Sequence, residues 1–466
     1  MTKILSALFK ELLAFVVIEL LVRASVGLGL VSLPSMSVGW FDRLRQGDDP
    51  PVEKRLFEAD RDLIFRMRAA TDFVYPRTVL QSNKPQTWSV HTNEQGFRSP
   101  PFSEAKPAGV FRIVCLGDSS TFGMNVDDAD AYPRVLARLL EERSPGRFEV
   151  LNLGVPGYSS RQGLELLRQS VLRYQPDLVT FAFGTNDRFW RRSVSDDQVI
   201  RFNQSLSGTV LMYLRNAAEH LYSYRLLRRL ATTAAVRLFG IPALQKGEPL
   251  VSLPELAGNI VAAQTLLRAN GAAMLVLNND FYGTDAIAGM REGARPSGVP
   301  VLDMRQLFLN RERQRSRELE AQHHLSPPEP PQGMMLFRVW TRAPEEQLAV
   351  DVRAFEPQAT RFLMRDDGRS GDQVAGDGVW SSLVPAARTP RVEYTYWKRK
   401  GAVFVREYGE TISGTSARLR SVAAAGNIDT LGELYLHTDS AHPDEEGHAL
   451  IANALVERVL RTAPGP

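Results

Sequence analysis

The chain has 466 residues, 44% of them hydrophobic and 23% charged, the composition of a folded protein too long for one ordinary core. A formal net charge of +3 gives no electrostatic case for a nucleic-acid partner, and no nucleic-acid motif is present. The lone cysteine, Cys115, excludes an intramolecular disulfide and a multi-cysteine zinc site.

Residues 4–35 are mostly apolar. Their cleanest run, Leu12–Val22, contains Glu19 and falls short of the about 20 residues that a spanning helix needs. Extension to Leu33 supplies the length but includes Arg23, which stands four residues from Glu19 and can neutralise it on a helix. Lys3 and Lys10 precede the run and orient the N-terminus toward the cytoplasm. The expectation is a signal-anchor, a transmembrane segment over residues 1–35. It leaves the rest outside the cytoplasm, in a bacterial periplasm or at a cell surface. A cleaved signal peptide, giving secretion, and a helix packed on its own domain are the alternatives.

Residues 36–110 hold Pro50-Pro51, Pro76, Pro85, Pro101 and Pro107 and few long apolar runs. They read as an extended connector, with short strands at Ser89–Thr92 and Gly96–Arg98, lying against the domain that follows. His91 within it reads as structural or exposed.

From Phe111 the pattern is strand–helix–strand–helix. Ile113–Leu116 is a continuous apolar run, the mark of a parallel strand covered on both faces. It meets Gly117-Asp118-Ser119 and then a helix over Ala131–Glu142. Phe148–Leu153 is a second strand, ending at Gly154–Ser160, and Gln162–Tyr174 a helix. Leu178–Phe183 is a third strand, ending at Gly184-Thr185-Asn186-Asp187. Residues 209–239 form a long helical region with five arginines on it, read as a solvated basic face or as a lid or membrane-surface helix. Pro254–Ala269 is a helix; Ala272–Leu277 and Val299–Leu302 are strands. Such alternation predicts a doubly wound parallel sheet.

After the stiff linker Pro327–Pro331 the pattern changes. Short runs rich in Val, Phe, Tyr and Trp, from Met335 to Tyr408, predict an all-β sandwich. Its acidic, glycine-rich stretch Asp366–Gly378 reads as a series of tight turns, with calcium binding as the sharper alternative. Trp340, Trp380, Tyr394, Tyr396 and Trp397 are candidate sugar platforms or core residues. The α/β pattern resumes at Glu433–Leu436 and closes with a helix over Asp444–Arg461.

The strand ends carry the chemistry. Ser119, on a strand-to-helix turn, has the exposed hydroxyl and nearby backbone N–H that suit a nucleophile. Asp439 and His442 lie three apart directly before the last helix. In that arrangement the carboxylate can fix the imidazole tautomer and stabilise the imidazolium. His437 and His448 compete for the base and read as structural. Three donors can face the developing oxyanion: the backbone N–H of Ser119, the backbone N–H of Gly157 and the side-chain amide of Asn186. Asp118 and Asp187 read as holding loops by hydrogen bonds.

Gly117-Asp118-Ser119, the Gly157 turn after Asn152, Gly184-x-Asn186-Asp187 and Asp439-x-x-His442 resemble the four blocks of the SGNH (GDSL-like) hydrolase family. The resemblance covers about residues 111–310 and 430–466. It implies a flavodoxin-like three-layer α/β/α sandwich, which the change of pattern divides into 111–326 and 416–466 around an inserted β-sandwich over 327–415. It also implies a serine esterase without metal or cofactor: Ser119 as nucleophile, His442 as base, Asp439 as its orienter, and an oxyanion hole of Ser119, Gly157 and Asn186. Ser120 departs from the namesake motif, which has Leu there, and the β insertion is the larger departure. The expected substrate is an acyl ester, an acetyl ester above all, on a cell-envelope carbohydrate, with the membrane met through the N-terminal segment. An O-acyltransferase acting on a polysaccharide and a non-catalytic carbohydrate-binding protein are the alternatives. Protein partners are left open.

Overall fold

A computed structural model describes residues 2–28, 30–31, 55–76, 87–189, 191–192, 194–239, 248–279, 285–308, 310–311, 334–340, 347–353, 360–369, 375–376, 379–385, 391–400, 403–413, 425–427 and 442–463. The chain divides into two compact units, Met1–Met304 with Ala452–Pro466, and Arg305–Ile451.

The first unit begins with helix α1 (Thr2–Gly27). Two hairpins follow, β1 (Phe57–Asp60) with β2 (Ile64–Met67), and β3 (Asp72–Pro76) with β4 (Thr87–His91). Their side chains alternate as the pleat requires: Phe73, Tyr75, Trp88 and Val90 are buried, whereas Val74 is exposed. The stretch read as a connector therefore supplies part of the main core, including Phe57, Phe65 and Trp88. No long apolar run announces it, because each strand buries only alternate residues.

The central sheet is parallel. Its strands are β5 (Phe111–Gly117), β6 (Phe148–Gly154), β7 (Leu178–Ala182), β10 (Ala273–Asn278) and β11 (Val301–Asp303). The order across the sheet is β11-β10-β7-β5-β6. Counted in sequence this is the 2-1-3-4-5 order of flavodoxin-like folds, with its switch point between the first and third strands. The short pair β8 (Arg191–Arg192) and β9 (Glu248–Pro249) is separate and antiparallel.

The helices of this unit are α2 (Ser119–Phe122), α3 (Tyr132–Arg143), α4 (Ser160–Gln169), α5 (Thr185–Phe189), α6 (Asp196–Gln204), α7 (Leu206–Glu219), α8 (Tyr222–Phe239), α9 (Leu253–Ala269) and α10 (Ala286–Ala294). Leu164 and Leu167 of α4 and Ile260, Ala263 and Leu267 of α9 pack in one cluster with Val114, Leu116, Val179 and Phe181 of the sheet. Serines cap α4, α6 and α9, each in a reciprocal capping box.

The helical region expected over 209–239 is two helices. The carboxylate of Glu19 accepts from the backbone N–H groups of Tyr222 and Ser223, both at 2.8 Å, and so caps α8 from a distant part of the chain. Arg23 donates to Glu19 at 2.8 Å and to the His220 carbonyl at 3.0 Å. The N-terminal segment is helical as expected, but it carries Lys3, Lys10, Glu11, Glu19 and Arg23. The expected transmembrane span is corrected on this point: no helix among the described residues is long and apolar enough to cross a membrane.

The second unit holds β12 (Met334–Trp340), β13 (Leu348–Arg353), β14 (Thr360–Leu363), β15 (Val379–Pro385), β16 (Arg391–Lys400), β17 (Val403–Ser413) and β18 (Ala425–Asn427). They form a three-stranded sheet, β15-β12-β18, and a four-stranded one, β14-β13-β16-β17. Between them Arg365 and Ser381 make an isolated antiparallel bridge. Asp366 accepts from the Gly376 N–H at 2.6 Å and Asp367 from the Arg369 N–H at 3.0 Å, which is turn chemistry. Among the described residues no group of three or more His, Cys, Asp or Glu is placed to hold a metal ion. The last helix, α11 (Glu445–Thr462), begins in the second unit and ends in the first.

Candidate active site

The register of the central sheet gathers three turns at one edge. Gly117, the last residue of β5, stands beside Gly154 of β6 and Ala182 of β7. The segments that leave these strands carry Ser119, Gly157 and Asn186. Ligands in open α/β sheets bind at this carboxyl edge, beside the switch point.

Ser119 opens the one-turn helix α2 and is 6% exposed. Asp118, extended at φ −95°, caps that turn, and its carboxylate accepts from the Ser120 N–H at 2.9 Å. The Asp118 N–H donates to the Ala182 carbonyl at 3.3 Å, so the serine turn is tied to β7 as well as to its own strand. On the other side α2 lies directly on β6. A Cβ at Gly154 would stand 2.2 Å from the Phe122 nitrogen, so only glycine permits this approach. Asn152 fixes the same contact: its amide donates to the Phe122 carbonyl at 3.3 Å, and its oxygen accepts from the Gly154 N–H at 3.0 Å.

The second turn runs Val155-Pro156-Gly157-Tyr158, closed by the Tyr158 N–H donating to Val155 at 3.2 Å. Proline suits its second position, and Gly157, at φ +85°, supplies the left-handed third residue of a type II turn. Asn186, on the short helix after β7, donates its amide to the Tyr158 carbonyl at 3.0 Å and reaches Asp118 at 3.5 Å. One side chain thus joins all three turns.

Asp187 lies beneath this arrangement, fully buried. It accepts from the Ser160 backbone N–H at 3.0 Å and from the Ser160 hydroxyl, which in turn accepts from Asn259 at 2.9 Å. Burial pushes its carboxyl up to about 7, against the Ser160 hydrogen bonds that pull it down; the charges of Asp196 and Asp118 add to the rise. In the unfolded chain the same group titrates near 4. Between those values the folded protein holds a proton that the unfolded chain has lost. Stability therefore falls as pH rises through this window, by about 2–3 kcal/mol from pH 5 to pH 8 at about 1.4 kcal/mol per pKa unit. The variant Asp187→Asn is expected to remove this contribution, read as urea midpoints of both proteins at pH 5 and pH 8. Equal slopes in the two proteins would refute it.

His442 is buried, in the second unit, two residues before the Asp444 cap of α11. Asp444 accepts from the Gly447 N–H at 2.9 Å, and the His448 N–H donates to the Asp444 carbonyl at 2.8 Å. Asp439, His437 and the strand expected at Glu433–Leu436 lie outside the described residues. His91 is exposed and pairs with Asp128 on the surface.

Two residues that sequence reasoning missed brace the serine turn. Asn279, just past β10, donates its amide to Asp118 at 2.8 Å and to Ala182 at 3.3 Å. Its signal was a polar pair, Asn278-Asn279, closing an apolar strand. Arg98 is 2% exposed. It donates to the carbonyls of Phe122, Gly123, Ser89 and Val126 and pairs with Asp128. Its guanidinium lies 4.8 Å from the Phe122 ring centre and 5.2 Å from that of Trp88. No local signal marked it.

Residues 115–328 match the model of the GDSL-like Lipase/Acylhydrolase family. A stretch of 77 residues is 32% identical to a protein of Bacillus subtilis (strain 168) described as "Uncharacterized lipoprotein YqeF". That stretch is 16% of this chain and spans about a third (31%) of the relative's length. Among solved structures, a lipase/acylhydrolase from Enterococcus faecalis is 15% identical, with a TM-score of 0.26 over 43% of this chain and 79% of that one. A mutant of Axe2, an acetyl-xylooligosaccharide esterase from Geobacillus, is 13% identical, with a TM-score of 0.27 over 47% and 82%. It is the match over 115–328 that places the domain: this part of the chain matches the GDSL-like Lipase/Acylhydrolase family.

Proposed function

We propose that the protein is a serine esterase that removes an acyl group, an acetyl group above all, from a cell-envelope carbohydrate. Support comes first from the shared register of Gly117, Gly154 and Ala182, which sets the Ser119, Gly157 and Asn186 turns at one sheet edge.

In this reading Ser119 Oγ attacks the ester carbonyl while His442, oriented by Asp439, takes its proton. The carbonyl oxygen becomes an oxyanion, met by the N–H groups of Ser119 and Gly157 and by the Asn186 amide. Each such donor is worth about 3 kcal/mol in the transition state. The intermediate collapses, the C–O bond breaks, and the alcohol leaves with the proton from His442. Water then adds to the acyl-enzyme, gives up a proton to His442, and releases the acid as the proton returns to Ser119. His442 and Asp439 enter through the Asp-x-x-His pattern. The chemistry is assigned to the outside of the cytoplasm, beside a membrane met through the N-terminal segment.

The full chain, assayed beside acetylated oligosaccharides and long-chain glycerides, is expected to release acetate and to leave the long-chain esters nearly untouched. Preference for the long-chain esters would replace the carbohydrate reading with a lipid one. No turnover of either would overturn the esterase reading.

A further inference from the structure

Helices α1 and α7 carry apolar side chains into solvent. On α1, Phe9, Leu12, Leu13, Ile18, Leu20 and Leu21 are each more than half exposed, whereas Glu19, which caps α8, is buried. On α7, Leu206, Val210 and Leu214 stand four apart, so they form one exposed stripe. The exposed apolar side chains of α1 lie on more than one face of the helix, a wider surface than one protein groove covers, on a helix not apolar enough to span a bilayer.

Two hollows open beside that stripe. One, of about 570 Å³, lies between the β1–β2 hairpin and α7–α8 and is lined by six arginines and four carboxylates. The carboxylates are shared. Glu219 pairs with Arg55 and Arg228, and Glu58 with Arg66 and Arg68. Arg215 has no ion pair among the described residues, so the hollow keeps an excess of positive charge. The second, of about 440 Å³, is a largely apolar trough lined by residues such as Ile64, Phe202, Leu211 and Leu214. Ala59, Met212 and Arg215 line both. An arginine-lined hollow opening into an apolar trough fits a ligand with an anionic head and a hydrocarbon tail.

We propose that this face docks on a bilayer and that the arginine hollow takes the headgroup of an anionic phospholipid. The exposed apolar side chains of α1 and the exposed stripe of α7 bury in the acyl boundary. Arg215, at the junction of the two hollows, selects negative lipid. This docking does not depend on ester cleavage.

The test is sedimentation of the full chain with vesicles of phosphatidylcholine alone and of phosphatidylcholine mixed with phosphatidylglycerol. Binding is expected to be about tenfold tighter to the anionic vesicles at low salt, and the preference is expected to fade at high salt. The variant Arg215→Glu, a change on the exposed face of α7, is expected to lose that preference and keep its melting temperature. The double variant Leu211→Ser, Leu214→Ser is expected to weaken binding to both vesicle types. Equal affinity for the two compositions, or an unchanged preference in Arg215→Glu, would overturn the proposal. So would displacement from anionic vesicles by millimolar inorganic phosphate, which would make the hollow a site for the free anion. Self-association with no vesicle binding would assign the apolar face to a second copy instead.

Discussion

Replacing Ser119 with alanine is expected to lower hydrolysis of a short-chain aryl acetate by about 10³-fold or more, because the residual rate then comes from binding and oxyanion donors alone. The backbone of the turn should not change. Its cap is the Asp118 carboxylate on the Ser120 N–H, and its packing is made by Gly154 and Asn152. None of these uses the Ser119 hydroxyl. The melting temperature of the variant should therefore match that of the parent, and the loss should appear in kcat rather than KM. Replacing Asn186 with alanine should cost about 10²-fold or more in kcat if its amide meets the oxyanion. That variant also loses the bond to Tyr158, so its stability should fall as well. The difference between the two variants separates a group that reacts from one that also holds the turns together.

The second large effect is on stability. Arg98→Met takes a buried donor from the carbonyls of Phe122, Gly123, Ser89 and Val126, of which Phe122 keeps the Asn152 amide and Gly123 the Val126 N–H, and it leaves Asp128 with His91 alone. Each unsatisfied buried acceptor costs about 1–3 kcal/mol, and loss of a hydrogen bond to a charged group costs about 1.5–3 kcal/mol. Relaxation and entering water recover part of the sum, so a total loss of about 4 kcal/mol is expected, read as a shift in the urea midpoint. Burial draws the guanidinium below its usual range, while the neighbouring Asp128 opposes the shift. Because two of the four carbonyls end α2, activity should fall with stability. A variant as stable as the parent would show that the arm around Arg98 is peripheral to the site.

The parallel sheet was legible because its strands are continuous apolar runs, each followed by a polar turn. Ile113–Leu116 and Leu178–Phe183 stand out by composition alone, and their C-terminal ends fall within one residue of those of β5 and β7. The hairpins over 57–91 were not legible as core. They bury three and four side chains at alternate positions, and Tyr75 and Trp88 find each other across twelve intervening residues, most of them outside the described residues. Helix boundaries set by local caps, such as Ser159 with Gln162, can be read from spacing. The start of α8 cannot, because its cap is Glu19, two hundred residues away. The same distance problem hid Asn279, whose partner is Asp118. The turn residues of the site were found because glycine and proline act locally. The residues that brace them were not, because they act across the sheet.

The central claim is that Ser119 is the group that becomes acylated. The most direct measurement is intact-mass and peptide mass spectrometry after treatment with a fluorophosphonate, which phosphonylates an activated serine with loss of fluoride. The expected result is one phosphonyl group per chain, located on Ser119, with hydrolysis lost in proportion and no label in Ser119→Ala. Label on another residue, or an active protein that takes up none at Ser119, would contradict it.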